Sequence, residues 1–171
     1  GMQQEKLMEK VMKTTNISSN CEISKTSIIF DNVEIEDNVK ISDYCLIGYN
    51  SKKNNKKLII RKNTIINSHT TIYSDSEIGE NNLIGHNVLI REKTVLSKNV
   101  QIGSYSDLEG YCKIGEYTKL HSNVHIGQHS NIMSYVYIFP YVILTNDPIP
   151  PSELRQGVIL EPFSIICTRS T

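Results

Sequence analysis

Residues 60–144 read IRKNTIINSHTTIYSDSEIGENNLIGHNVLIREKTVLSKNVQIGSYSDLEGYCKIGEYTKLHSNVHIGQHSNIMSYVYIFPYVIL. Every sixth residue of that stretch is Ile or Leu: Ile60, Ile66, Ile72, Ile78, Ile84, Ile90, Leu96, Ile102, Leu108, Ile114, Leu120, Ile126, Ile132, Ile138 and Leu144. A helix repeats its buried stripe about every 3.6 residues and a half-buried strand about every two, so neither produces a period of six. A six-residue repeat marks a parallel β-helix. The same spacing begins earlier, at Ile17, Ile23, Ile29, Ile35, Ile41 and Ile47, so the repeat takes in most of the chain.

That fold accounts for the composition. An apolar content of 39% is low for a rounded globule of 171 residues, but a coil that points one large aliphatic per hexad inward needs few of them. Burying one Ile is worth roughly 1.5–3 kcal/mol, close to the ordering cost of one or two residues. A lone hexad therefore cannot hold itself, and stability comes from stacking. Eighteen basic and eighteen acidic residues cancel, which argues against nucleic acid or a membrane surface as the main partner. No apolar run has the length of a membrane span, and the opening GMQQEKLMEK lacks a signal peptide's apolar stretch. Gly1 before Met2 reads as a cloning remnant, and a cytoplasmic protein is expected. Cys21, Cys45, Cys112 and Cys167 lack the spacing of a zinc knot or disulfide framework. Cys45 and Cys112, each two residues before a repeat aliphatic, are expected to be small buried side chains.

The organisation along the chain follows. Residues 1–14 form a tail in which Leu7, Met8, Val11 and Met12 have helical spacing, predicting a short amphipathic helix that caps the first coil. Residues 15–171 form the β-helix. Asn recurs three residues after the aliphatic, as at Asn38, Asn63, Asn81 and Asn99, and suits a sharp corner because it tolerates the left-handed region. Gly recurs just after the aliphatic. Two interruptions break the period. Ile60 follows Ile47 by thirteen positions where twelve would keep phase, predicting a lysine-rich bulge (Lys52, Lys53, Lys56, Lys57) that is either a phosphate contact or a solvated charge run. After Leu144 comes TNDPIPPSELRQGVI, a proline-rich excursion over residues 145–158 and the leading site candidate.

A loop of the form Thr-Asn-Asp-Pro-x-Pro-Pro leaving a hexad, preceded by VYIFPYVIL, resembles the hexapeptide-repeat acyltransferases. It is most similar to those that N-acetylate amino sugars on nucleotide carriers for surface-polysaccharide synthesis. The resemblance implies a left-handed parallel β-helix, a homotrimer, acetyl-CoA as co-substrate, and a nucleotide-linked amino sugar held between adjacent prisms. Where hydroxyl-acetylating relatives carry a histidine in this loop, this chain has Thr145, Asn146 and Asp147, with Ile149 in place of another histidine. A neutral amine attacks a thioester without a strong base, so the sequence favours N- over O-acylation.

The candidate residues follow from that chemistry. Asp147 either accepts or orients the amine proton or shapes the turn before Pro148. His129 is the reserve general base, the bland alternative being an exposed corner histidine. Thr145, Asn146, Arg155 and Tyr141 are candidates for the sugar nucleotide, and Cys167 and Thr168 occupy slots where relatives hold the acyl donor. Tyr105, Tyr111, Tyr117, Tyr135 and Tyr137 serve subunit packing or base stacking. His69, His86 and His121 raise a minor alternative, a γ-class carbonic anhydrase-like zinc protein, but their spacing sets them on different turns, too far apart for one zinc within a chain, which leaves only a site shared between subunits, and no metal site is assigned. Relatives continue for further coils where this sequence stops at Thr171. The alternative to an enzyme is therefore a weakly active or inactive trimeric scaffold.

Overall fold

The computed structural model describes residues 15–50 and 56–168. The expected helix near the N-terminus, Lys52 and Lys53 lie outside them. The described chain is all β: twenty-three short strands, from β1 (Asn16–Ile17), β2 (Glu22–Ile23) and β3 (Ile28–Ile29) to β23 (Ile165–Ile166). Strands three apart in order pair in parallel, which gives three sheets of eight, eight and seven strands. We call them faces A, B and C in the order the chain meets them. The result is a three-sided parallel solenoid of seven full turns, consistent with a left-handed β-helix.

Register confirms the eighteen-residue turn. Ile84 pairs with Ile102, and Ile102 with Leu120. Each aliphatic therefore stacks on its own kind, and from Ile60 to Ile138 these residues are at most 2% exposed. The slot two residues earlier also points inward. Thr64 Oγ1 donates to the Gly79 carbonyl (2.9 Å) and accepts the Asn82 N–H (3.2 Å). Thr70, Ser106 and Thr118 repeat this pattern, so these inward hydroxyls are satisfied between turns, while the Thr94 hydroxyl in the same slot and Asn82 Nδ2 are buried without a partner. Cys45 and Cys112 fill the same slot and are fully buried, as expected. Burial pushes the Cys112 thiol up to about 11.

Corners are made by residues with positive φ, Asn38 (57°), Asn63 (60°), Asn81 (55°) and Asn99 (57°) among them, but also Tyr117 (58°), Tyr135 (59°) and Phe163 (65°). Bulky residues adopt this region only at a cost. Here the Tyr117, Tyr135 and Phe163 rings stack at 5.2 and 5.1 Å, tilted by 4° and 10°, which offsets it.

Both interruptions leave from the same corner. β6 (Leu46–Tyr49) belongs to face C and β7 (Leu58–Ile60) to face A, and Ile35 pairs with Ile60. The thirteen positions are one ordinary hexad plus a seven-residue insertion, not two hexads plus one. The proline-rich excursion likewise joins β21 (Ile143–Leu144) on face C to β22 (Ile159–Leu160) on face A. No helix among the described residues is long and apolar enough to cross a membrane.

Candidate active site

The excursion folds back on itself at the C–A corner. Gln156 N–H donates to the Asn146 carbonyl at 2.9 Å, closing its base. Asp147 organises its interior: its carboxylate accepts the Ser152 hydroxyl (2.7 Å), the Ser152 N–H (3.0 Å) and the Ile149 N–H (3.1 Å). Those hydrogen bonds, the Ser152 hydroxyl's above all, lower its pKa from the usual aspartate value. At the far end Arg155 Nη1 donates to Gln128 Oε1 (3.1 Å), and Gln128 Nε2 donates to the Glu109 carbonyl (3.3 Å). Between loop and column lies a concavity of about 350 Å³ lined by Arg91, Glu109, Gln128, Asn146, Asp147, Ser152 and Arg155.

Face C supplies what the loop lacks. In the two-residue strands the neighbours of each inward aliphatic point outward, so Asp107, His125 and Ile143 form one outward column by register. Glu109 flanks Leu108 on the other side. His125 Nδ1 is 2.8 Å from Asp107 Oδ2, and its Nε2 is 3.8 Å from Glu109 Oε1. The carboxylate accepts, so in the neutral ring Nδ1 carries the hydrogen and Nε2 keeps its lone pair. An imidazole oriented by one carboxylate and set beside Glu109, which lines the concavity, is equipped for general base work.

Residues 57–92 match the family model described as bacterial transferase hexapeptide (six repeats). That segment carries the hexapeptide repeat. No curated protein matches the sequence. Among solved structures the hexapeptide column is similar to the UDP-N-acetylglucosamine O-acyltransferase LpxA of Moraxella catarrhalis RH4, with 19% identity, TM-score 0.54, and 79% of this chain covering 70% of that one. LpxA of Acinetobacter baumannii gives 18% identity and TM-score 0.56 over 80% of this chain and 70% of that one. The UDP-N-acetylglucosamine acyltransferase LpxA of Bacteroides fragilis 9343 gives 18% and 0.55 over 83% and 73%. At these identities the likeness is one of fold.

Within the hexapeptide frame, the residues chosen from sequence fall into two groups. Asn146, Asp147 and Arg155 come together around the concavity, and Thr145 leads into it from β21. His129 is exposed at the C–A corner under the returning loop, its ring 5.0 Å from that of Tyr111. Tyr141, Cys167 and Thr168 stand instead at the B–C corner, where the Thr168 hydroxyl bonds the Pro140 carbonyl. That corner has its own cleft of about 300 Å³ on face B, floored by Gly85 and Gly103 and edged by His86, Lys119 and His121. His69, His86 and His121 do not converge: His69 packs on Tyr44, His86 Nδ1 is 2.8 Å from Ser68 Oγ, and His121 Nδ1 accepts the Ser122 N–H at 2.8 Å. Among the described residues no three metal-binding side chains are grouped.

Sequence reasoning passed over His125, Asp107 and Glu109. The signal was present, since Asp107 and His125 lie one eighteen-residue turn apart in the slot before the aliphatic.

Proposed function

We propose that this chain is an acyltransferase that moves an acetyl group from acetyl-CoA to a sugar on a nucleotide carrier, with an amino sugar as acceptor. The observation that carries the reading is His125, oriented by Asp107 at 2.8 Å and set beside Glu109, which lines the concavity beneath the projecting loop. The transferase description of the repeat supports it, as do the acyltransferase names of the fold neighbours.

His125 takes the role considered for His129 and Asp147. Its Nε2 lone pair accepts the acceptor's proton as the new bond to the thioester carbon forms, and returns it to the departing sulfur as the C–S bond breaks. Asp107 stabilises the imidazolium that exists between those two transfers. Asp147, holding three hydrogen bonds and a lowered pKa, is a poor base and keeps the loop in shape. Thr145, Asn146 and Arg155 bind the sugar nucleotide. The donor's arm runs along face B over Gly85 and Gly103, toward Cys167 and Thr168 and past Tyr141, where the missing side chains leave room. Because that cleft and the loop lie on different faces, one copy's loop completes its neighbour's cleft in a homotrimer. The outward-facing Ile65, Leu83 and Ile165 of face B, 38%, 41% and 65% exposed, support such packing.

The test is CoA release from acetyl-CoA with a panel of nucleotide-linked amino sugars. Turnover with a panel member, reduced by His125→Asn about 10²- to 10⁴-fold, is expected. An inert panel, together with no heat from millimolar acetyl-CoA in calorimetry, returns the chain to the scaffold alternative.

A further inference from the structure

We propose that Glu109 selects an amine over a hydroxyl by binding the acceptor as its ammonium, an inference that rests on the acyl-transfer reading. The geometry is a gap between two acceptors. His125 Nδ1 is committed to Asp107, which leaves the Nε2 lone pair directed outward, and Glu109 Oε1 stands 3.8 Å away from it. That separation is too long for a direct hydrogen bond. Among the described residues no Lys or Arg reaches ion-pair distance of Glu109. The nearby Arg91 is paired with Glu92 at 3.3 Å, and Arg155 with Gln128 at 3.1 Å. Glu109 thus presents a carboxylate at the wall of the concavity with no described Lys or Arg within ion-pair distance.

A group lodged against both atoms must donate twice. A hydroxyl has one hydrogen, so its oxygen faces a lone pair on whichever side it does not donate to. An ammonium has three, donates to Nε2 and Oε1 together, and neutralises Glu109. One N–H remains for the loop. Glu109 is then a specificity residue that touches the substrate, while Asp107 acts through His125. For the whole reaction, ammonium plus thioester gives amide, thiol and one proton. The ammonium sheds that proton to solvent before attack, and His125 carries the second from nitrogen to sulfur.

The experiment is calorimetric titration with UDP-glucosamine and UDP-glucose, which differ only in amine against hydroxyl at carbon 2, at a pH where the amine is protonated. Wild type is expected to bind the amine about ten- to a hundredfold more tightly, the range of a hydrogen bond between charged groups. Glu109→Gln keeps shape and loses charge, and should bring the two affinities within about threefold. Glu109→Asp should restore part of the preference. Equal affinities in wild type, or a preference that survives Glu109→Gln, overturn the proposal, and the wild-type comparison needs no variant to fold. A charge-dependent preference without CoA release overturns the transferase reading alone. Acyl transfer with equal affinities overturns only the role of Glu109.

Discussion

Gly157→Ala tests how the loop is fastened to the column. Gly157 lies where the excursion returns ahead of β22, and a Cβ there would stand 2.1 Å from the His129 carbonyl carbon, 2.2 Å from Ser130 N and 2.3 Å from His129 O. All three are backbone atoms, so no side-chain rotation relieves the clash. Ordinary contact begins near 3.5 Å, so against 2.1 Å the returning strand must lift by about 1.4 Å. The bonds beside it, Val158 N–H to Ser130 Oγ (3.2 Å) and Asn131 N–H to the Val158 carbonyl (2.8 Å), stretch with it. Overpacking of this kind costs about 1–3 kcal/mol. In a solenoid each rung touches only its neighbours, so the loss should stay within residues 145–168. Amide hydrogen exchange should show faster exchange there and unchanged protection from Ile60 to Ile126. If the reading of the site holds, CoA release falls as well, by about 10²-fold for a displacement near 1 Å. Unchanged exchange in residues 145–168, or loss spread evenly along the column, would refute the reasoning.

Ile102→Ala, at a site 2% exposed in the ladder, should lower stability to urea by about 2–5 kcal/mol, whereas Val95→Ala, 41% exposed on the outside of face A, should stay within about 0.5 kcal/mol. Similar midpoints for the two would remove the inward ladder. Asp107→Asn should reduce turnover while leaving acetyl-CoA affinity unchanged, because it disturbs only the ring behind the reacting nitrogen; loss of donor binding instead would make Asp107 structural. Asp147 has a depressed folded pKa, so its contribution to loop order is present above the unfolded value and is lost only as pH falls through the lower folded one. The Ile149 and Ser152 amide shifts should therefore titrate with a midpoint below 3.8, the ordinary value, and a midpoint at or above it contradicts the hydrogen-bonded loop. Alkylation at pH 8 should mark Cys167, which is exposed, and spare Cys112, whose thiol is buried and pushed up to about 11; equal rates would place Cys112 outside the core.

The column was legible because each hexad repeats one decision, an aliphatic turned inward, and fifteen repetitions leave no rival period. The Asn corners were legible for the same reason. The aromatic stack of Tyr117, Tyr135 and Phe163 was not legible, because it requires the stretch from 135 to 163 to be recognised as one turn plus an insertion. The first interruption was misphased because thirteen positions lie one from a multiple of six, and pairing of Ile35 with Ile60 resolves it. The loop announced itself through its prolines. The His125–Asp107 pair did not, because a 2.8 Å contact between residues eighteen apart has no local pattern to mark it.

Why the chemistry gathers at one corner follows from how the ladders survive the insertions. At the A–B corner Asn38 donates to Asn63 at 3.0 Å and Asn63 to Asn81 at 3.2 Å, although the first step spans the early insertion. Higher up, Tyr135 stacks on Phe163 across the later one. Both ladders remain continuous because each insertion leaves and returns at the C–A corner, and the next inward aliphatic restores the phase. The other two corners are thereby free to carry the column's repeated stacking, and the C–A corner is free to carry irregular chain. Face C beside that corner holds Asp107, His125 and Glu109 in register, since each lies between two buried neighbours. The loop supplies the polar groups that vary with the ligand. Rigid strand residues for the proton and insertion residues for recognition are therefore a consequence of where a three-sided column tolerates extra chain.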